Sequence, residues 1–309
     1  MNILVIFTGG TIGSTYKDGY ISTEASTRYA LIEKYKAQSD HRVSFVTDAP
    51  YNILSENLTG SYINKLIDCL RRHEKDDIEG IIITHGTDTL QYSAAALGMI
   101  FRSIDKPVVF VSSNYVLEDT RANGLNNFSN AVAFICKQIS NGIFVSYDNI
   151  IHDALCLFPH MQYDDKLYSL DDNIFGSFSD GIFYKNDNYV STDLEKLLPD
   201  FIISDKKLFS ECAPVLCVRA VPGQLYPAIS EDTRAVLLDS YHSGTLNTAT
   251  HTLANFVHNA TNKKIPVYLT GLQDTIQYES TKKYDSIGIK VLPKLSIITA
   301  YMLLWLYYS

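Results

Sequence analysis

Residues 3–13 read Ile3-Leu4-Val5-Ile6-Phe7-Thr8-Gly9-Gly10-Thr11-Ile12-Gly13. An apolar run rich in β-branched residues passes straight into paired glycines, the pattern of a buried strand that ends in a turn sharp enough to bring backbone close to a ligand. Such a turn leaves backbone N–H groups and the Thr11 hydroxyl at the carboxyl end of a sheet, where open α/β sheets bind ligands. Taken alone, Gly9-Gly10 also reads as an ordinary strand-to-loop turn.

Working outward, short apolar runs alternate with amphipathic stretches. Ile3–Phe7, Gly80–Thr84 and Val108–Ser112 have strand character. Between them, Tyr62–Arg72 and Ser93–Arg102 have helical spacing, with apolar residues at 62, 63, 66, 67 and 70 on one face. Ile81-Ile82-Ile83 is continuous, as in a strand covered on both sides. A second turn, Thr84-His85-Gly86-Thr87-Asp88-Thr89, leaves this strand and enters a helical stretch. Thr87 and Asp88 therefore fall near a helix N-terminus, where Asp88 could equally be a cap.

The alternation predicts an α/β fold in which a larger N-terminal domain carries a mainly parallel sheet flanked by helices and a smaller C-terminal α/β domain follows. Phe158–Asn188 lacks periodicity and Ser191–Phe209 mixes charge with Pro199, so the domain connection is expected there. The expected division is 1–185, a linker over 186–212, and 213–309. In the second part, Ala213–Val221, Ala235–Leu238 and Ile265–Thr270 read as strands, and Thr250–Asn259 and Ser296–Tyr307 as helices.

The 309 residues are 46% hydrophobic and 19% charged, with a net charge of -8. That balance, without a Lys/Arg block, disfavours a nucleic-acid or anionic-membrane surface. The five cysteines, Cys69, Cys136, Cys156, Cys212 and Cys217, are scattered without C-x-x-C spacing, so they indicate neither a disulfide framework nor a zinc motif. His251 and His258 share a helix face but read as ordinary surface histidines. No metal and no cofactor are expected. The N-terminal apolar run is too short for a secretory segment, which reads as cytoplasmic. Leu295–Tyr308 is too short to cross a bilayer and reads as a buried terminal helix.

Together, Thr8–Ile12 and His85–Thr89 resemble the hallmark elements of the L-asparaginase and glutaminase-asparaginase family, and the opening Gly13–Ile21 stretch is closer to its cytoplasmic branch. Further similarity lies at Ser55-Glu56-Asn57, Lys106–Val109, Asn123–Val132 and, more loosely, Ser240–Gly244. The resemblance implies hydrolysis of the side-chain amide of L-asparagine, or of L-glutamine, to the acid and ammonia. It implies Thr11 as nucleophile, Tyr20 on a loop closing over it, and Thr87 with Asp88 acting on the other side of the substrate. Gly10, Ser55, Glu56 and Asp88 are the implied binding residues, with the carboxylates on the α-ammonium and Ser55 on the α-carboxylate. A small amino-acid substrate and a homodimer or homotetramer are implied as well.

Two positions depart from that family. An ungapped match places Pro159 where its members carry a lysine hydrogen-bonded between the second threonine and its aspartate. Ser296-Ile297-Ile298 stands where they carry a glutamate given to a neighbouring subunit. Lys166 and His160 are the nearest substitutes in sequence for the missing base. The alternatives are thus a working amidohydrolase with a substituted base, a catalytically silent amino-acid binder, or an amidotransferase subunit.

Overall fold

The structure is a computed structural model describing residues 1–17, 20–22, 29–39, 43–204, 206–272 and 277–309, and it divides into two units, Met1–Thr192 and Asp193–Ser309.

In the first unit the strands are β1 (Asn2–Phe7), β2 (Thr15–Lys17), β3 (Tyr20–Ser22), β4 (Ser44–Asp48), β5 (Gly80–Thr84), β6 (Pro107–Val111), β7 (Gly142–Tyr147), β8 (Ile150–Asp153), β9 (Ile174–Ser179) and β10 (Ile182–Lys185). Its helices are α1 (Ala30–Gln38), α2 (Gly60–His73), α3 (Leu90–Ile100) and α4 (Gly124–Cys136). Eight strands form one sheet in the order β10-β9-β8-β7-β6-β5-β1-β4. From β4 to β7 all pairings are parallel, and β8, β9 and β10 are added antiparallel. Strands β2 and β3 pair antiparallel as a separate two-stranded sheet.

The central strands are apolar along their whole length because both faces are covered: every residue of β5 and β6 is buried. Burying each of Ile81, Ile82 and Ile83 contributes about 1.5–3 kcal/mol. On one face, Ile3, Val5, Ile82, Val109 and Phe144 pack with Leu31, Ile32 and Tyr35 of α1 and with Phe128, Val132 and Ile135 of α4. By the two-residue alternation of a strand, Leu4, Ile6, Ile81, Ile83 and Phe110 point to the other face, which α2 and α3 cover.

This division of helices determines where a ligand crevice can form. From β1 the chain runs through α1 on one face to β4, whereas from β5 it runs through α3 on the other face to β6 on the opposite side. The gap between the carboxyl ends of β1 and β5 is therefore a topological switch point. The β6-α4-β7 connection advances in the same direction as β5-α3-β6 but over the opposite face, so it has the opposite hand and is left-handed if the others follow the usual rule. As a result the start of α4 lies beside the β1 turn: a methyl on Gly124 would lie 3.1 Å from Ile12 Cγ1.

The stretch Phe158–Asn188, read above as part of an aperiodic connection, contains strands β9 and β10. Asp180 (φ 50°) and Gly181 (φ 74°) form the two-residue turn between them. The Asp-Gly pair is the local signal for that hairpin, but the flanking strands lie at the edge of the sheet and lack clean alternation. Phe175, Phe178 and Phe183 anchor it against Phe134 of α4.

The second unit contains β11 (Val215–Arg219), β12 (Ala235–Asp239), β13 (Val267–Thr270) and β14 (Ile289–Val291) as a four-stranded parallel sheet in that order. Its helices are α5 (Leu194–Leu197), α6 (His251–Asn262), α7 (Tyr284–Ile287) and α8 (Ile297–Tyr308). Leu253, Phe256, Val257 and Ala260 of α6 pack on Val236, Leu238, Val267 and Leu269. His251 and His258 are both exposed on α6. Ser296 caps α8 by accepting from Thr299 N at 3.1 Å, and most of α8 is buried. Among the described residues, no helix is long and apolar enough to cross a membrane.

Candidate active site

Three segments meet at the carboxyl ends of β1 and β5. Phe7 and Thr84 are register partners, so the two threonine-bearing turns leave the sheet at the same level. Thr8 ties them together, its N donating to the Thr84 carbonyl at 3.3 Å and its Oγ1 to the same oxygen at 2.7 Å. Gly9 (φ 110°) and Gly10 (φ 82°) both adopt conformations that side chains rarely tolerate. A Cβ at Gly10 would lie 2.4 Å from Gly86 N, so the first turn touches the second backbone to backbone.

The third segment, residues 53–56, enters through Ile53, whose N donates to the Thr8 carbonyl at 3.2 Å while its carbonyl accepts from Gly10 N at 3.2 Å. A Cβ at Gly86 would lie 2.4 Å from Ser55 Oγ. Ser55 donates to Asp88 Oδ2 at 3.3 Å, and the Ser55 carbonyl accepts from Thr89 Oγ1 at 2.8 Å. The structure thus gathers Gly10, Ser55 and Asp88, together with the backbone next to Thr11 and Thr87.

Thr11 is half-buried and begins a short 3-10 turn, Thr11–Gly13. The Gly10 carbonyl stabilises that turn by accepting from Gly13 N at 3.1 Å and Ser14 Oγ at 2.8 Å. Thr87 is half-buried, while Asp88 and Glu56 are exposed. Neither the Thr11 nor the Thr87 hydroxyl has a hydrogen-bond partner among the described residues. Tyr20 opens β3, but its side chain lies outside the described residues.

Asp88 is not a helix cap. Thr89 occupies the N-cap position of α3 with no side-chain cap bond, and the Asp88 main-chain carbonyl accepts from Gln91 Nε2 at 2.9 Å. Its carboxylate is left to Ser55 and the open end of the sheet.

His85, part of the quoted motif, is structural. It is fully buried, and desolvation lowers its pKa to about 4 against the opposing hydrogen bond to Gly86. Because the Gly86 carbonyl can only accept, Nδ1 carries the hydrogen and donates to it at 3.0 Å, and Nε2 accepts from Ser93 Oγ at 2.9 Å. Ser112 Oγ donates to the His85 carbonyl at 2.6 Å, and Asn127 Nδ2 donates in turn to the Ser112 carbonyl at 2.9 Å. This chain locks the second turn to β6 and α4. No role for Thr89, Ser93 or Ser112 is legible in the sequence, because their contacts are made to groups distant along the chain or specified only by the turn.

No lysine pairs with Asp88 among the described residues. His160 lies edge-on to Tyr147, ring centroids 5.5 Å apart, at the end of β7. That strand is two away from β5, a lateral separation of about 10 Å. Lys166 is exposed, its backbone N donating to Asp164 Oδ1 at 3.0 Å.

This architecture and pair of turns define an asparaginase-type α/β protein. Residues 2–157 match the family described as Asparaginase, N-terminal, and the chain belongs to that family. L-asparaginase 1 of Escherichia coli (strain K12) is 30% identical over 158 residues, 49% of this chain and 45% of that protein. A glutamyl-tRNA(Gln) amidotransferase subunit of Methanococcus vannielii is 32% identical over 157 residues, 50% of this chain and 36% of that one. The chain spans about a quarter to a half of the length of the amidotransferase subunits it matches. Among solved structures, the thermostable L-asparaginase of Thermococcus kodakarensis superposes with a TM-score of 0.77 at 21% identity, covering 98% of this chain and 91% of that one. L-asparaginase I of Vibrio cholerae gives 0.78 at 18%, covering 100% and 93%.

Proposed function

We propose that the protein is an amidohydrolase that cleaves the side-chain amide of L-asparagine, or of L-glutamine, with Thr11 as nucleophile. The observation that carries this reading is the interlocking of Gly10, Gly86 and Ser55, with the Thr11 turn, the Asp88 carboxylate and the Ser55 hydroxyl beside one another at the switch point of the sheet. Thr11 Oγ1 attacks the amide carbonyl and ammonia leaves. Water then hydrolyses the resulting ester. A threonine hydroxyl is a weak nucleophile that needs a neighbouring base, and the oxyanion needs preorganised donors, which backbone N–H groups of the glycine turns can supply. Asp88 and Glu56 hold the substrate ammonium, Ser55 holds its carboxylate, Tyr20 closes over the nucleophile, and Thr87 acts from the opposite side.

Asp88 pairs with Ser55 rather than with a lysine among the described residues, and this favours a second reading: an amino-acid binder with little turnover. Losing a general base costs about a hundredfold to ten-thousandfold in rate. Ammonia release from L-asparagine and L-glutamine, compared with a Thr11→Ala control, separates the two. Release well above the control supports the enzyme. L-aspartate binding without release supports the binder.

A further inference from the structure

Away from the crevice, the last residue of β4 meets the last turns of α2. We propose that Asp48, Cys69 and His73 form a binding site for a zinc-class divalent transition-metal ion, with Asp76 holding His73 in its ligating orientation. Cys69 and His73 are four residues apart on α2 and so project from one face, and Asp48 approaches them from the strand. One donor atom from each, Oδ2, Sγ and Nε2, lies within 4.8 Å of the other two. Among the described residues no other three such side chains come this close.

Two of the three donor–donor separations are short. Asp48 Oδ2 is 3.0 Å from His73 Nε2 and 3.3 Å from Cys69 Sγ. A tetrahedral ion with bonds of about 2.3 Å to sulfur and about 2.0–2.1 Å to nitrogen and oxygen spans edges of about 3.3–3.6 Å. Two edges of the tetrahedron are therefore close to the required length before any ion enters.

His73 supplies the electrostatic argument. Its Nδ1 lies 2.6 Å from Asp76 Oδ2 while Nε2 faces Asp48 Oδ2, so both ring nitrogens meet carboxylate oxygens. With Nδ1–H donated to Asp76, the Nε2 lone pair points at a second anion, and that arrangement requires a positive charge between them. A proton can supply it, and so can a metal ion. Carboxylate, histidine and metal in this order form the usual outer-shell arrangement of a zinc-bound histidine. One thiolate, one imidazole and one carboxylate suit zinc or cobalt far better than magnesium or calcium.

The Arg72 guanidinium, 3.1 Å from Asp48 Oδ2, belongs to a largely exposed side chain that can swing aside. It borders a surface groove of about 700 Å³ lined also by Asp48, Lys65, Asp68 and Arg71, so the Asp48 side of the cluster opens to solvent. Binding turns the Cys69 thiol into a metal thiolate and releases its proton, and a protonated His73 releases its Nε2 proton as well. No oxidant or reductant takes part.

The test is a titration of the full metal-free chain with Co²⁺ alone. The expected result is one ion per chain with a near-ultraviolet thiolate-to-cobalt band, displaced by Zn²⁺. Cys69→Ser should abolish the band. His73→Gln should weaken cobalt binding by at least about tenfold, and Asp76→Asn by about 10- to 100-fold. Because Cys69 is buried and its variant is at risk of misfolding, His73→Gln, at a side chain 22% exposed, decides the matter by itself. No stoichiometric uptake, or cobalt binding unaffected by His73→Gln, overturns the proposal.

Discussion

The Ser55 hydroxyl lies 3.3 Å from Asp88 Oδ2, linking the segment after β4 to the turn after β5 across the mouth of the β1 turn. Since Asp88 is exposed and caps no helix, its carboxylate contributes little to folding. Asp88→Asn should change unfolding stability by no more than about 0.5 kcal/mol. It should lower kcat/KM for L-asparagine by about ten- to a hundredfold, the value of a charged hydrogen bond. Steady-state kinetics beside urea denaturation check both halves, and a stability loss near 1 kcal/mol with kinetics intact would return Asp88 to a capping role.

Gly10→Ala should be severely destabilising, by about 2–4 kcal/mol, because it joins a positive φ to a Cβ 2.4 Å from Gly86 N. Gly13→Ala is the control two residues from the nucleophile, since a Cβ there meets nothing within 4 Å among the described residues. Denaturant midpoints of the two variants should differ plainly, and equal midpoints would contradict the packing of the two turns.

Acid should weaken the first unit through two buried neutral histidines. Burial lowers the pKa of both His85 and His152 to about 4, and His152 Nδ1 is 2.8 Å from Ser169 Oγ. The unfolded chain takes up these protons below about pH 6.5, while the folded chain resists until about pH 4. Their contribution is therefore complete above about pH 6.5 and is lost on descending toward pH 4, by up to roughly 3 kcal/mol per histidine. Urea unfolding at pH 7.5 and pH 5.0 measures it, and a midpoint that does not fall on acidification refutes the assignment.

Phe134 of α4 holds the β9–β10 hairpin, its ring centroid 5.0 Å from Phe144, 5.8 Å from Phe175 and 5.7 Å from Phe183. Phe134→Ala should cost about 3–5 kcal/mol. Hydrogen exchange should show residues 174–185 losing protection along with α4, and protection retained in the hairpin alone would show that it is anchored elsewhere.

Much of the architecture is legible in local pattern. Ile3–Phe7 and Ile81–Ile83 had to be apolar throughout because both faces are covered, and the glycines at 9, 10 and 86 mark places where no Cβ fits. The hairpin at 174–185 is hard to read locally because edge strands need no alternation and its only sign is Asp180-Gly181.

Strand order belongs to the tertiary structure. Periodicity says that β1 and β5 are strands but not that they are neighbours, since adjacency depends on which helix covers which face and on the hand of each crossover. The meeting of Thr8 with Thr84 and of Ser55 with Asp88 follows from that order, as does the approach of Asp48 to Cys69 and His73. Each of these contacts joins residues far apart in the chain, and only long-range packing selects among the many ways such residues could pair.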